Sequence, residues 1–187
     1  IDLGTLPGGN YSEALAINEG SQVTGYWGNF ATGDPALDAF IWEDGVMRSL
    51  KLPIGPSSVG CDIDDDGRVT GWMGKGPAIA DASAYMWLAG ETADLGANWD
   101  ACAAEPRAIA GGGKQLVGTC YFQDPKEHCS VVRAFLWADN EFHNLGTLLG
   151  YSESRAHGVS GDAVFGYCDA TPSPAAFIYF NGKMRPL

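Results

Sequence analysis

The sequence is poor in charge, poorer still in basic residues, and has no long apolar run. Only 18% of its 187 residues are charged, and 11 Lys and Arg stand against 23 Asp and Glu, for a formal net charge of -12. This balance repels both a phosphate backbone and an anionic bilayer. No segment approaches the roughly 18 to 20 apolar residues of a membrane-spanning helix. We therefore expect neither nucleic acid nor a membrane as a partner.

Motifs of catalysis and metal binding are missing as well. The three histidines form no HxH, HxxxH or HExxH spacing, and the five cysteines form neither a CxxC pair nor a Cys/His set at zinc spacing. Gly158-Val159-Ser160-Gly161 lacks the order of a nucleophile elbow, and Gly111-Gly112-Gly113-Lys114 lacks the pattern of a phosphate-binding loop. We predict a protein that is not an enzyme and needs no cofactor.

The cysteine pattern favours disulfides over metal. Cys120 and Cys129 flank a polar loop. A hairpin-type bridge would close that loop and stabilise the fold by roughly 2 to 3 kcal/mol. We predict this disulfide, and with it an oxidising compartment. The pairing of Cys61, Cys102 and Cys168 stays open, and the odd cysteine is either a buried free thiol or part of an intermolecular bond.

Glycine, proline and hydrophobic residues, by contrast, are abundant. The chain has 26 Gly and 10 Pro, and 45% of its residues are hydrophobic, which is typical of a turn-rich β protein. Two landmarks recur four times with a period of roughly 46 residues. An apolar run closed by an aromatic residue begins at Ala39, Ala84, Ala134 and Ala176. A mostly apolar pair precedes Gly25, Gly71, Gly118 and Gly166.

Each repeat is predicted to form four short strands, a to d, in an antiparallel meander. In the first copy these strands are Ala14 to Asn18, Gln22 to Trp27, Asp38 to Trp42 and Val46 to Leu50. Asp44-Gly45, between c and d, suits the positive φ angles of a two-residue hairpin. Strand c is apolar at consecutive positions, so both of its faces must be covered, as they are between packed blades.

The pattern therefore predicts an all-β fold, a four-bladed β-propeller forming a single domain over residues 1–187, with a β-sandwich or an open β-solenoid as alternatives. The repeats fall approximately at 7–52, 53–97, 98–148 and 149–187. Residues 1–6 are predicted to be an extra terminal strand, because the element at Asp2, Leu3, Gly4, Thr5 and Leu6 also follows the later d strands. Such a strand either competes with the last strand to close the ring or pairs with a neighbouring subunit.

One acidic segment resembles the opening of a calcium loop. Asp62-Ile63-Asp64-Asp65-Asp66-Gly67 places carboxylates at alternate positions. The rest of the loop is missing, since Arg68 follows the glycine and Met73 stands where a glutamate should. We favour a plain turn between strands a and b, with a surface calcium site at Asp62, Asp64 and Asp66 as the alternative.

The aromatic residues fall into two groups. Trp42, Trp87, Trp137 and Tyr179 share one repeat position, which predicts packing between blades. Trp27, Trp72, Trp99 and Tyr121 lie at the ends of b strands or in d–a links. If strand a is innermost, these four share one face of the disc with the long b–c and d–a links. That face is the predicted ligand-binding surface, unless it is merely where insertions are tolerated.

The first copy carries the clearest family resemblance. Its matching segments are Asp2-Leu3-Gly4-Thr5-Leu6-Pro7-Gly8-Gly9, Ala16-Ile17-Asn18, Val23-Thr24-Gly25-Tyr26 and Ala39-Phe40-Ile41-Trp42. They resemble the HAF-type extracellular repeat of bacterial secreted proteins, and the match covers the whole chain. The resemblance implies a propeller-like protein that is secreted, at the bacterial surface or in the periplasm, and it supplies no catalytic residues. The third and fourth copies depart from the pattern at their a–b turns.

These observations lead to two functional hypotheses. The first is a non-enzymatic extracellular structural, adhesive or assembly module that self-associates through the spare terminal strand. The second is a carbohydrate-binding, lectin-like propeller that uses Trp27, Trp72, Trp99 and Tyr121. The expected partners are accordingly other protein subunits or cell-surface glycans. A hydrolase that works through acidic residues on the loop face is a third and less supported possibility.

Overall fold

A computed structural model of the chain describes residues 1–32, 36–53, 55–75, 82–96, 103–123, 130–169 and 173–187. These ranges contain sixteen strands and one 3-10 turn, Phe30–Thr32. No helix in them has the length and apolarity needed to cross a membrane.

The strands form four sheets, or blades, of four strands each. The first blade holds β1 (Tyr11–Ile17), β2 (Val23–Gly28), β3 (Leu37–Glu43) and β4 (Val46–Ser49). The second holds β5 (Ser57–Ile63), β6 (Val69–Gly74), β7 (Ser83–Leu88) and β8 (Glu91–Asp94). The third holds β9 (Ala103–Ala110), β10 (Gln115–Gln123), β11 (Ser130–Ala138) and β12 (Glu141–Asn144). The fourth holds β13 (Glu153–Ser160), β14 (Ala163–Asp169), β15 (Ala175–Phe180) and β16 (Lys183–Pro186).

Every blade is an antiparallel meander in chain order. Strands pair only with their sequence neighbours, so the orders run β1-β2-β3-β4 and likewise in the other three sheets. The c–d hairpins have the predicted left-handed turns, as at Asp44 (φ 51°) and Gly45 (φ 82°). The first strands of successive blades lie beside one another, which places β1, β5, β9 and β13 innermost. The predicted all-β, four-bladed propeller is confirmed.

The landmark glycines have a steric cause. Each innermost strand carries a β-bulge, as between Gly60 and Asp62, that brings a carbonyl close to strand b. A Cβ on Gly71 would lie 1.9 Å from Val59 O. On Gly25, Gly118 and Gly166 it would lie 1.9, 2.1 and 2.0 Å from the corresponding oxygens. Only glycine fits beneath the bulge.

The landmark glycines pair with residues of the other landmark, the apolar run of strand c. Across the ladder, each glycine faces an aromatic residue of strand c, in the pairs Gly25–Phe40, Gly71–Tyr85, Gly118–Phe135 and Gly166–Phe177. All four aromatic side chains are completely buried. Each glycine and its aromatic partner are thus one pair of the b–c ladder, which explains why both landmarks keep one period.

The core is divided among the interfaces between successive blades. β5 lies against β2 and β3, β9 against β6 and β7, and β13 against β10 and β11. Between the first two blades, Ile41 packs with Ile63 and Tyr85. Clusters at equivalent repeat positions fill the next two interfaces. Each innermost strand is therefore the element that joins its blade to the preceding one.

The predicted terminal strand is wrong, because residues 1–6 form no strand. Gly4 N donates a hydrogen bond to Asp2 Oδ1, and the left-handed φ of Gly4 (72°) breaks the extended path. The same turn joins the third blade to the fourth, where Gly146 N donates to Asn144 Oδ1. Asp2 to Leu6 is the ordinary link into a blade rather than a spare fifth d strand.

The chain of blades is open among the described residues. β1 makes no contact with β13, β14 or β15 comparable to those that join successive blades. One face of the first blade and one face of the fourth therefore lack a neighbouring blade.

The steric requirement at the landmark glycines can be tested with Gly71→Ala. The added methyl group cannot be accommodated without moving β5, so we expect the free energy of unfolding to fall by about 1–3 kcal/mol or more. Urea denaturation monitored by tryptophan fluorescence measures this. Gly20→Ala is the control, because its Cβ would meet only the Asn18 side chain, 3.3 Å away. Equal stability of the two variants would contradict the interpretation.

Candidate functional site

Among the predicted loop-face aromatics that the structure describes, Trp72 is buried. Trp72 is 5% exposed and packs with Val59, Ala82 and Ala103 between the second and third blades. Tyr121 packs against the same cluster, and burial raises the pKa of its phenol. Trp72 therefore serves blade packing, which corrects its assignment as a surface ligand contact. Tyr121 is half-buried, and its role as a ligand contact stays a prediction. Trp99 lies outside the described residues.

Trp27 differs from the others because it lines a cleft. This cleft, about 370 Å³, lies between the first two blades and includes Asp38, Ser49, Lys51 and Ser58. Ser49 Oγ donates a hydrogen bond to Asp38 Oδ2 at 2.7 Å. Trp27 Nε1 is buried and has no partner among the described residues. An indole ring beside a carboxylate, an ammonium group and two hydroxyl groups is a suitable lining for a small polar ligand.

The candidate calcium loop is an a–b turn whose carboxylates have protein partners. Asp64 Oδ1 accepts hydrogen bonds from Asp66 N (3.1 Å) and Arg68 N (2.9 Å), and Arg68 forms ion pairs with both carboxylates. Asp62 Oδ2 instead accepts from Ile109 N of the third blade at 2.9 Å, and burial raises the pKa of this carboxyl. The three groups do not converge, and within the described ranges no group of three potential metal ligands forms.

The predicted disulfide is not formed at Cys120. This residue is a buried free thiol whose Sγ lies 3.2 Å from Arg133 O, and it packs in the cluster between the second and third blades. Across the ladder, Cys120 pairs with Arg133. Cys129, next to Ser130, lies outside the described residues.

The first blade exposes an apolar residue whose equivalents in the second and third blades are buried. We define the first end face as Ile17 of β1 with Ser12 and Ala14, which lie on the same side of the sheet. Ile17 is 67% exposed, whereas Ile63, at the same position of the second blade, is 5% exposed. The difference exists because β5 has a preceding blade to pack on and β1 has none.

The fourth blade exposes the opposite face. We define the last end face as Phe165 of β14 with Ala176 and Ile178 of β15. Phe165 is 49% exposed, although the equivalent residues are fully buried: Thr24, Thr70 and Val117. Ala176 is exposed as well, and its equivalents are fully buried: Ala39, Ala84 and Ala134. These are the positions on which the next innermost strand packs elsewhere in the molecule.

A charge at the last end face is already paired. Arg155 forms ion pairs with Asp169 and, at 2.8 Å, with Glu153. On the side of the first blade opposite to Ile17, Glu13 accepts hydrogen bonds from Tyr11 and Tyr26, which lowers the pKa of its carboxyl. A protein that covered the last end face would therefore not have to bury Arg155 as an unpaired charge.

Sequence reasoning missed the end faces because it predicted a propeller without deciding whether its ring closes. One signal was present: phenylalanine stands at 165 where the other repeats have threonine or valine. A residue of this size indicates that this face of the fourth blade is not packed in the same way as the equivalent faces of the other blades.

Comparison with known proteins supports the fold. No protein-family model matches the sequence, and no curated protein matches it. Among solved structures, the β-propeller domain of the trilobed protease from Pyrococcus furiosus, described as having an open velcro topology, aligns with a TM-score of 0.61 at 13% identity. The alignment covers 95% of this chain and 54% of that domain.

Two further structures show the same architecture. TolB from Acinetobacter baumannii aligns with a TM-score of 0.57 at 14% identity, over 95% of this chain and 43% of TolB. Acylaminoacyl peptidase from Pyrococcus horikoshii aligns with a TM-score of 0.64 at 17% identity, over 95% and 27% of the two chains. The chain spans about half or less of each of these proteins, with which it shares the β-propeller fold.

The state of Cys120 can be measured by alkylation. Burial raises the pKa of this thiol to about 12, so at pH 8 it is protonated and hidden, and iodoacetamide should not label it in the native protein. In guanidinium chloride without reductant it should label completely. Peptide mapping gives the result, and Cys120→Ser is the control for assigning the label. A non-reduced peptide that links Cys120 to Cys129 would overturn the assignment.

Proposed function

We propose that the protein is a non-enzymatic structural module of an extracellular assembly, which binds protein subunits through its two end faces. The observation that carries this proposal is that both ends expose positions buried inside the molecule. Ile17 is exposed where Ile63 and Ile109 are buried, and Phe165 and Ala176 are exposed where all of their equivalents are buried. Large apolar side chains grouped on a rigid sheet favour association, since fully burying one isoleucine is worth about 1.5–3 kcal/mol. The extracellular location rests on the resemblance to secreted bacterial repeat proteins.

The end faces replace the terminal strand as the means of assembly. Residues 2–6 turn into the first blade and present no free strand edge, so strand addition there has no template. The end faces instead offer side chains, as the internal interfaces do. A subunit that binds them gains apolar burial without rearranging the blade.

The proposal predicts that the protein associates and that the end faces are responsible. We expect sedimentation velocity to show species heavier than the 19.7 kDa chain, and the double variant Ile17→Asp/Ala176→Arg to sediment as a monomer. Both positions are exposed in the single chain, so the substitutions should leave the blades folded. Val46→Asp, at an exposed apolar position of outer strand β4, is the matched control and should associate like the wild type.

Two results would contradict the proposal. One is a wild type that stays monomeric up to millimolar concentration. The other is a double variant that associates as strongly as the wild type, since the contact would then lie elsewhere. Circular dichroism of each variant distinguishes lost association from lost folding.

The cleft at Trp27 favours carbohydrate binding as a second function. Its ring can stack on a sugar face while Asp38 and Lys51 bond to hydroxyl groups. We expect a glycan array to give hits that Trp27→Ala reduces at least tenfold in affinity. Trp72→Phe, which alters a buried ring outside the cleft, should leave binding unchanged. An array without signal, or equal binding by Trp27→Ala, counts against this function.

A further inference from the structure

The cleft beside Trp27 has a lysine at a position where the other repeats have glycine. Lys51 begins the link into the second blade, and the links into the other three blades have Gly4, Gly96 and Gly146 there. The backbone of Lys51 is left-handed (φ 52°), as it is at Gly4 (72°) and Gly146 (71°). A side chain strains this conformation, because its Cβ atom comes too close to the following carbonyl oxygen. The chain therefore carries a lysine where glycine would cost no strain.

The turn of the link does not require this lysine. Lys51 N donates a hydrogen bond to Ser49 Oγ, two positions before it, at 3.1 Å. The glycines of the other three links donate the same bond to an aspartate or asparagine at 2.9 to 3.0 Å. The turn is closed in the same way with either residue. What the lysine adds is its ammonium group, which lines the cleft.

The carboxylate of the cleft also depends on residues that differ from those of the second blade. There, Ser83 of β7 donates a hydrogen bond to Asp94 of β8, whose Oδ1 also accepts from Gly96 N in the turn. In the first blade the two residue types are exchanged, and Ser49 of β4 donates to Asp38 Oδ2 of β3 at 2.7 Å. Because Ser49 accepts the turn N–H, Asp38 takes no part in the turn.

Two opposite charges therefore line the cleft without pairing with each other. Among the described residues, Lys51 forms no ion pair. Asp38 accepts from Ser49 and, at 3.5 Å, from Ser58 Oγ. A carboxylate has about four lone-pair positions, so Asp38 can accept further hydrogen bonds. Both charged groups remain available to a ligand.

An indole ring provides the apolar wall of the cleft. The residues equivalent to Trp27 are completely buried: Met73, Cys120 and Cys168. Trp27 is half-buried instead and lines the cleft. A Cβ on Gly9 would lie 2.6 Å from Trp27 Cε3, so one edge of the ring rests on the Gly9 backbone. The cleft thus combines a supported aromatic ring, an ammonium group and a carboxylate.

We propose that the cleft binds an acidic sugar, a uronic acid whose carboxylate pairs with Lys51 and whose hydroxyl groups donate to Asp38. This inference rests on the carbohydrate-binding function proposed for the cleft, and it specifies the class of sugar. The C–H face of the sugar packs against the ring of Trp27. The ion pair with Lys51 is charge-assisted and stronger than a bond between neutral groups.

The two charges select against other classes of ligand. Lys51 repels a cation, and Asp38 repels a ligand whose polar groups are all carboxylates. A neutral sugar can bond to both groups, but it leaves the charge of Lys51 without a counter-ion. A uronic acid satisfies both, because it combines one carboxylate with several hydroxyl donors. The chain has a formal net charge of -12, so an anion is attracted only where a cation such as Lys51 lacks a counter-ion.

The ligand class is tested with matched oligosaccharides and the full chain. The probes are trisaccharides of galacturonic acid and of glucuronic acid, the same trisaccharides with methyl-esterified carboxyl groups, and acetate. In calorimetric titrations, we expect at least one acid to bind tenfold or more tighter than its own ester, and acetate not to bind. Because the ester keeps the ring and the hydroxyl groups, this ratio measures the contribution of the charge.

Lysine variants connect the charge of the ligand to the cleft. Lys51→Gln should lower the affinity for the acid at least tenfold and leave the affinity for the ester unchanged. Lys51→Gly should do the same, with a urea midpoint at or above that of the wild type, because glycine relieves the left-handed strain. Lys114→Gln is the matched control and should bind like the wild type, since it removes the same charge from an exposed turn outside the cleft.

The outcomes separate this inference from carbohydrate binding itself. Equal binding of acid and ester, or acid binding that Lys51→Gln leaves unchanged, overturns the acidic ligand while carbohydrate binding stands. Acetate that binds as tightly as the trisaccharides also overturns it, because the sugar ring would then not be recognised. If the glycan array finds only neutral sugars and neither acid binds, the acidic ligand alone is overturned. An array without signal, together with no binding of either acid, overturns both.

Discussion

The fold depends on one contact made four times: the carbonyl of a bulged inner strand lies against a glycine of the next strand, and that glycine pairs across the ladder with a buried aromatic residue. The bulge increases the local twist of the sheet. The glycine permits the close approach of the carbonyl. Tyr85 and its three equivalents consequently have no contact with solvent, and each blade acquires the same shape.

Identical blades produce identical interfaces, and the organisation of the molecule follows from this. Among the described residues, three core clusters lie at the interfaces between successive blades, and a fourth gathers side chains of the first three blades. Residues such as Cys120 and Trp72, which a motif search would single out for chemistry, are used for packing between blades. Groups that remain available for recognition include those at the cleft of Trp27 and at the two ends.

The architecture could be predicted from the sequence because its causes are local. The landmark glycines and the Asp44-Gly45 turn are positions where the backbone admits few residues, so they mark the strands directly. The conformation of residues 2–6 could not be predicted in the same way, because Asp-Leu-Gly ends a strand in later repeats and has no strand before it in the first. Ring closure was equally hidden. It depends on small angles between blades that add up around the axis. Side-chain volumes at the interfaces set those angles, and the repeat period of the sequence carries no information about them.

The interchangeability of the interfaces has a consequence for how such chains evolve. Duplication of an internal unit would insert a blade whose two sides are compatible with the blades on either side of it, because serine and alanine positions such as Ser58 and Ala39 would be copied together. The chain could therefore lengthen without a new interface having to arise.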